Sequence, residues 1–359
     1  MKKTILQSFI GSVFLLILFF EGCSNDTITN TPVVTAKGIF VLYEGSFGQA
    51  TSFDYGFIDP SNGSVQGNVY QNSNSGALMN SFPDGILISG NEIYITAQGT
   101  FAAQGTIYKI NSTSNHLESS ANFGKNPYSF VLDNNKFYVT NTSGDYISIL
   151  DMNFNVLDSI PVGLNPADII SSSGKIYVTK QSYTTENSLA VIDESNNQVN
   201  KVFFNSPPIS VASNLGNIYV SGYASKKIYV VNNAFPPVLT DSISVTIPEV
   251  AIGSIVAGDS HSLYVLGVQD TAFGYSTGKS VYKIDLTTKT VVPGFSIQFT
   301  GSNDAYGITY EPNENKIYIA NSKGGLNNGE VRIYNSNGDS LKTYPDIGGK
   351  FPKKIAFKY

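Results

Sequence analysis

In 359 residues the chain has no tryptophan, three methionines, two histidines and one cysteine. That cysteine, Cys23, precedes every repeat described below, so no disulfide can staple the fold and stability must come from packed apolar surface. The histidines, His116 and His261, fall in different repeats, which suits neither a Ser–His–acid relay nor a His-ligated metal. There is no G-x-S-x-G elbow, EF-hand spacing or phosphate-binding glycine loop, and neither a metal nor a cofactor is expected. Charged residues make up only 14% of the chain, against about 25% in typical soluble domains, and the formal net charge is -5. Without a basic run after Lys2 and Lys3, nucleic acid is not an expected partner. The apolar stretch Ile5 to Phe20 is shorter than the roughly 20 residues of a membrane span.

That stretch follows two lysines and leads into Glu21-Gly22-Cys23-Ser24, the layout of a secretory signal over residues 1–22. It resembles the lipobox of bacterial lipoproteins, with Phe20 where leucine is commoner. The resemblance implies that Cys23 is acylated and becomes the mature N-terminus. Ser24, in place of Asp, resembles the pattern sorted to the outer membrane, where the protein is expected on the periplasmic side or at the cell surface, the surface being favoured. Residues 23–37 then comprise the lipidated cysteine and a polar tether, and 38–359 form the folded domain.

What fills that domain is a repeat. GIFVL at 38–42 returns as NEIYIT, NKFYVT, GKIYVT, GNIYVS, HSLYVL and NKIYIA. The aromatic anchors Phe40, Tyr94, Tyr138, Tyr177, Tyr219, Tyr264 and Tyr318 stand 39 to 54 residues apart. A unit of this length made only of strands predicts an all-β fold, a seven-bladed β-propeller of four-stranded blades, because one blade cannot bury both of its faces alone. Each anchor strand is followed by a strand ending in a turn-capping residue: Asp59, Asn111, Asp151, Asp193, Asn232, Asp285 and Asn335. A third strand and a Pro- or Gly-containing link then lead to the inner strand of the next blade, as in FPDGILIS, NPYSFVLD and NPADIISS. The domain opens on an anchor strand without an inner one and closes on FPKKIAFKY. The strand Lys353 to Tyr359 is therefore expected to pair beside Gly38 to Tyr43 and close the ring.

In this topology the anchor-to-cap loops and the inter-blade links share one face, and tight turns occupy the other. The anchor-to-cap distance varies from 13 to 21 residues, and loop variation on a rigid scaffold is where binding usually resides. The long loops supply Glu44, Phe47, Phe101, Tyr183, Glu186, Asp270, Phe273 and Tyr275. The links add Phe82, Asp84, Tyr128, Asp168, Asp304 and Tyr306. Rings interleaved with carboxylates suit a flat or sugar-like ligand. Glu44, Asp84, Asp168 and Asp304 also have the chemistry to hold a cation or act as acid and base. His116 and His261 belong to the opposite, turn face.

From 38 to 359 the chain resembles the YncE-like seven-bladed propellers of the WD40/YVTN-repeat type, especially surface lipoproteins of the Bacteroidetes. VLYEGSFG at 41–48 resembles their opening motif, with Tyr43 where Asn is common, and the K/N-I-Y-V-T strands and NPADI or NPYSF links match as well. The resemblance implies a non-enzymatic lipoprotein, expected as a monomer, that presents its loop face to a small-molecule nutrient such as a corrinoid-like molecule, or to a partner such as a TonB-dependent transporter. Distant relatives include lactonases and quinoproteins, so a carboxylate- or metal-dependent hydrolase is the alternative. A structural or adhesive surface protein is another.

Overall fold

The computed structural model describes residues 34–46, 48–269 and 278–359. Cys23, Phe47, Asp270, Phe273 and Tyr275, with the proposed signal and most of the tether, lie outside these. The described residues form antiparallel sheets. Five have four strands each, and the sixth has nine. In the sheet built from Pro83–Ser89, Glu92–Ala97, Gly105–Asn111 and Leu117–Phe123, the strands follow chain order from the inner to the outer edge. The sheets beginning at Pro127–Asp133, Pro166–Ser172 and Pro208–Asn214 repeat that order. The nine-stranded sheet contains two such groups, starting at Ala251–Ala257 and Ala305–Glu311. A single residue pair, Gly278 with Ala305, joins them.

The remaining sheet takes its inner strand from the far end of the chain. Pro352–Lys358 lies antiparallel to Gly38–Tyr43, with Ile39 opposite Phe357 and Val41 opposite Ile355. Inner strands of successive sheets pack side by side, and Pro352–Lys358 contacts both Ala305–Glu311 and Pro83–Ser89.

Alternation explains the core. In NEIYIT, Ile93 and Ile95 face one neighbouring sheet and Tyr94 the other, so both faces of each sheet are covered. All of the aromatic anchors are buried. Tyr94, for example, packs between sheets at 4.9 Å from Phe137 and 6.3 Å from Phe154. Burying such a side chain is worth about 1.5–3 kcal/mol. Hydroxyls on the same strands tie neighbouring sheets together: Thr96 donates to the Tyr128 carbonyl at 2.7 Å and Thr140 to that of Ala167 at 2.8 Å.

The turn caps behave as their sequence suggests, with one exception. The side chains of Asp59, Asn111, Asp151, Asp193, Asp285 and Asn335 each accept from the backbone N–H two residues on. Asn232 instead accepts from Val238, because Pro236 and Pro237 lengthen that turn. A second departure lies in the first sheet, whose outer strand shrinks to Val65–Gln66 and gives way to a short helix, Val69–Ser73. The buried Asp54 carboxylate holds this helix by accepting from the N–H groups of Tyr70 and Gln71 at 2.8 and 3.0 Å, the arrangement favoured at a helix N-terminus.

Candidate functional site

Most inner strands begin the same way. A proline or alanine pairs with the end of the neighbouring strand, and the register then slips. The slip falls after Pro83, Pro127, Pro166, Pro208 and Ala305, and around Lys353. Such a bulge frees one residue from the ladder and re-aims its side chain. The residues freed include Asp84, Tyr128, Tyr306 and Lys353, all at the loop end of the inner strands. The chain enters several of these strands through a residue in the left-handed region: Phe82 (φ 54°), Asn126 (52°), Asn165 (52°) and Phe351 (54°). For phenylalanine this conformation is uncommon, and it turns the link sharply into the strand.

The re-aimed side chains converge. The Lys353 ammonium donates to Glu44 Oε1 at 2.5 Å and to Asp84 Oδ1, and stands 4.4 Å from the centre of the Tyr128 ring. The Tyr306 hydroxyl donates to the other Glu44 oxygen, and Gln98 donates to the other Asp84 oxygen. Asp84 is fully buried, while Lys353 and Glu44 keep 15% of their side-chain surface exposed. Two carboxylates thus share one cation in a poorly solvated space. Burial, opposed by Lys353 and reinforced by Glu44, pushes the Asp84 carboxyl up to about 7. Burial also resists ionisation of Glu44, but the Lys353 charge and hydrogen bonds with Asp84, Lys353 and Tyr306 outweigh it and hold that carboxyl below its usual range. Burial works against the Lys353 charge as well, but the two carboxylates hold its pKa well above the usual lysine value. Burial raises both Tyr128 and Tyr306. A carboxyl poised near neutrality beside an ammonium and two phenols can exchange a proton and can offer donors and acceptors to a ligand.

Of the residues singled out from the sequence, Glu44, Asp84, Tyr128 and Tyr306 meet in this cluster. Phe101 and Tyr183 stand on separate loops, 91% and 64% exposed. Phe82 packs on Phe53 with ring centres 5.3 Å apart. Asp168 accepts from the Ser210 hydroxyl and the Val211 N–H at 3.0 and 3.3 Å. Asp304 is buried and turns toward the loop after the strand Lys316–Asn321, accepting from the backbone and hydroxyl of Ser322 at 3.1 and 2.6 Å. Glu186 pairs with Lys201 at 2.6 Å and accepts from Ser188 and the Leu164 N–H. Burial disfavours its charge, but these donors outweigh that and hold it at about 2.

Sequence reading missed Lys353 and Gln98. The signal for Lys353 was available: it follows Pro352 as Asp84 follows Pro83 and Tyr128 follows Pro127, so aligning the inner strands places all three at one level. Near the cluster's end of the molecule, Leu164, Val250 and Leu326 are also exposed at link and loop tips. A hollow of about 370 Å³ lies beside Leu326, between Lys323, Asp346 and Lys350. On the turn side, a groove of about 870 Å³ is floored by Ile39, Tyr318, Ile333 and Tyr344.

Antiparallel four-stranded sheets packed through their inner strands define an all-β protein of the propeller type. Within that class the chain belongs to the family described as Domain of unknown function (DUF5074), which matches residues 37–358. No curated protein matches it. Among solved structures it is similar to a quinonprotein alcohol dehydrogenase-like protein from Bacteroides thetaiotaomicron, with 17% identity and a TM-score of 0.66. That match covers 90% of this chain and 78% of the other. The periplasmic gluconolactonase PpgL of Pseudomonas aeruginosa gives 12% identity and a TM-score of 0.66 over 90% and 99%. The WD40 domain of Pan2 from Neurospora crassa gives 8% and 0.56 over 77% and 78%. At these identities the likeness is one of fold.

Proposed function

We propose that the chain is a YncE-like, seven-bladed propeller closed by its own C-terminal strand. In this reading it works as a non-enzymatic, lipid-anchored binding protein at the outer membrane, facing the cell surface. The blade count is supported by the seven buried anchors and by the single residue pair that joins the two halves of the nine-stranded sheet. Closure is supported by the pairing of Pro352–Lys358 with Gly38–Tyr43. The observation that carries the binding role is the convergence, at the loop end of the inner strands, of Glu44, Asp84, Tyr128, Tyr306 and Lys353 from four sheets. A ligand there meets aromatic faces and polar groups together, with Phe101 and Tyr183 available at the periphery. A small nutrient such as a corrinoid-like molecule, or a surface partner such as a TonB-dependent transporter, suits that face.

The test is mass spectrometry of small molecules that co-purify with the mature domain, followed by calorimetry with the molecule found. Phe101→Ala with Tyr183→Ala should weaken binding roughly 5- to 150-fold, as loss of an aromatic contact does. His116→Ala with His261→Ala should leave it unchanged. Equal losses from both pairs would mean that the loop face is not the binding face. The anchor is tested separately: Cys23→Ser should release the protein from membranes.

A second reading rests on Asp84. A carboxyl near 7 beside an ammonium is suited to general acid–base work, and one structural neighbour is named a gluconolactonase. Lactone hydrolysis that disappears in Asp84→Asn with the fold intact would favour this hydrolase over the binding role.

A further inference from the structure

The same cluster sits where the C-terminal strand, paired with the N-terminal one, packs against the inner strand of the second sheet. Lys353 lies on the C-terminal strand, Glu44 directly follows the N-terminal strand, and Asp84 opens the inner strand of the next sheet. Tyr128 and Tyr306 approach from the inner strands on either side, and Gln98 follows the strand Glu92–Ala97. Among the described groups facing this space the only formal charges are one ammonium and two carboxylates. With both acids ionised the cluster carries one uncompensated negative charge in a region that water barely reaches. With one proton added it is neutral, and the Lys353–Glu44 pair is kept. We propose that this cluster is a proton-sensitive clasp, which binds one proton on the Asp84 side and loosens the seam between the C-terminal strand and the second sheet when that proton is lost.

The assignment to Asp84 follows from the donors. Glu44 has Lys353 and the Tyr306 hydroxyl, and its backbone is tied to the Phe351 carbonyl at 3.0 Å. Asp84 has only a shared ammonium and the neutral Gln98 amide, and is the more deeply buried of the two. It is therefore the acid less able to keep its charge. An Asp84 raised to about 7 holds a proton that the unfolded chain gives up near pH 4, so between these values the fold binds more protons than the unfolded state. Stability then falls as pH rises through that window. Glu44, being lowered, gives stability that is lost only at acid pH. Lys353, being raised, gives stability that is lost only at strongly alkaline pH. Asp54, pushed up mainly by burial to about 6, adds a slope of the same sign, so the experiment must isolate Asp84.

Thermal unfolding of the mature protein and of Asp84→Asn is compared between about pH 5.5 and pH 8.5, together with amide exchange over Lys354–Phe357. In the parent protein the midpoint should fall as pH rises, and the protection of that strand, taken as its exchange rate relative to the intrinsic rate of a free amide at the same pH, should fall with it. Asp84→Asn should show a clearly shallower fall and the same high protection at both pH values, because its amide mimics the protonated acid. Parallel pH profiles in the two proteins would overturn the proposal. Should Asp84→Asn fail to fold, carbon-13 NMR titration of the Asp84 carboxyl in the parent protein decides the question. A midpoint near neutrality supports the clasp, and a carboxyl ionised throughout the range overturns it.

Discussion

The two ends of the strands use the same residue types for opposite purposes. At the turn end, Asp59, Asp151, Asp193 and Asp285 are solvated, and hydrogen bonds from their own turns lower their pKa. Each acts within a few residues of its own position. At the loop end, Asp84 and Glu44 are nearly enclosed and share a lysine more than 260 residues distant in sequence. An acid that caps a turn is satisfied locally and has little capacity for anything else. An acid re-aimed by a bulge into a common space depends on distant partners, and its protonation becomes a property of the assembled domain. The lesson is that carboxylates here are sorted by strand end rather than by exposure alone. Asp304, Asp168 and Glu186 refine this: they sit toward the loop end but are occupied by hydroxyl, backbone or lysine donors nearby.

The comparison breaks most decisively if the closing strand proves dispensable. Deleting residues 351–359 removes the burial of Ile355 and Phe357, each worth about 1.5–3 kcal/mol, and strips Glu44 and Asp84 of their cation. The truncated domain should lose most of its cooperative melting transition, and an unchanged melting temperature would refute the pairing as a source of stability. A smaller but sharper contrast comes from two lysines. Lys353→Met leaves two buried carboxylates facing each other and should cost about 3–5 kcal/mol in urea unfolding at pH 8. Lys175→Met, next to a turn on the other side, should lie within roughly 0.5 kcal/mol of the parent. Similar costs would erase the distinction between the two ends. The smallest effect is expected from Asp193→Ala, which removes a cap from one exposed turn and should shift melting only slightly without altering any ligand affinity. A large change in affinity there would show that the turn side takes part in recognition.

Much of the architecture was legible in the chain because it repeats. Alternation around Phe40, Tyr94 and the later anchors marks strands covered on both faces. Asp or Asn at the strand ends marks the turns, and the unmatched inner strand FPKKIAFKY points to pairing with the N-terminal strand. These signals are local or periodic, and the physics they reflect acts over a few residues. Where a repeat breaks its own pattern, the reading fails. The helix Val69–Ser73 replaces an outer strand because Asp54, from an adjacent strand, satisfies its first N–H groups, and nothing within residues 65–73 announces that partner.

The candidate site divides in the same way. Sequence placed Glu44, Asp84, Tyr128 and Tyr306 on one face, since loop connectivity alone decides which end of a strand they occupy. Asp84, Tyr128 and Tyr306 directly follow the residue that opens their inner strand, whereas Asp168 stands one place further on and Asp304 one place before that opening residue, but the sequence does not announce that this offset selects the side chains that meet. That choice was made by tertiary structure, through bulges that free particular side chains and through the arrival of Lys353 from the opposite end of the chain. A one-residue slip in the ladder decides whether a carboxylate meets its neighbour's hydroxyl or a shared ammonium. Its energetic consequence depends on a burial that exists only once the sheets are packed together.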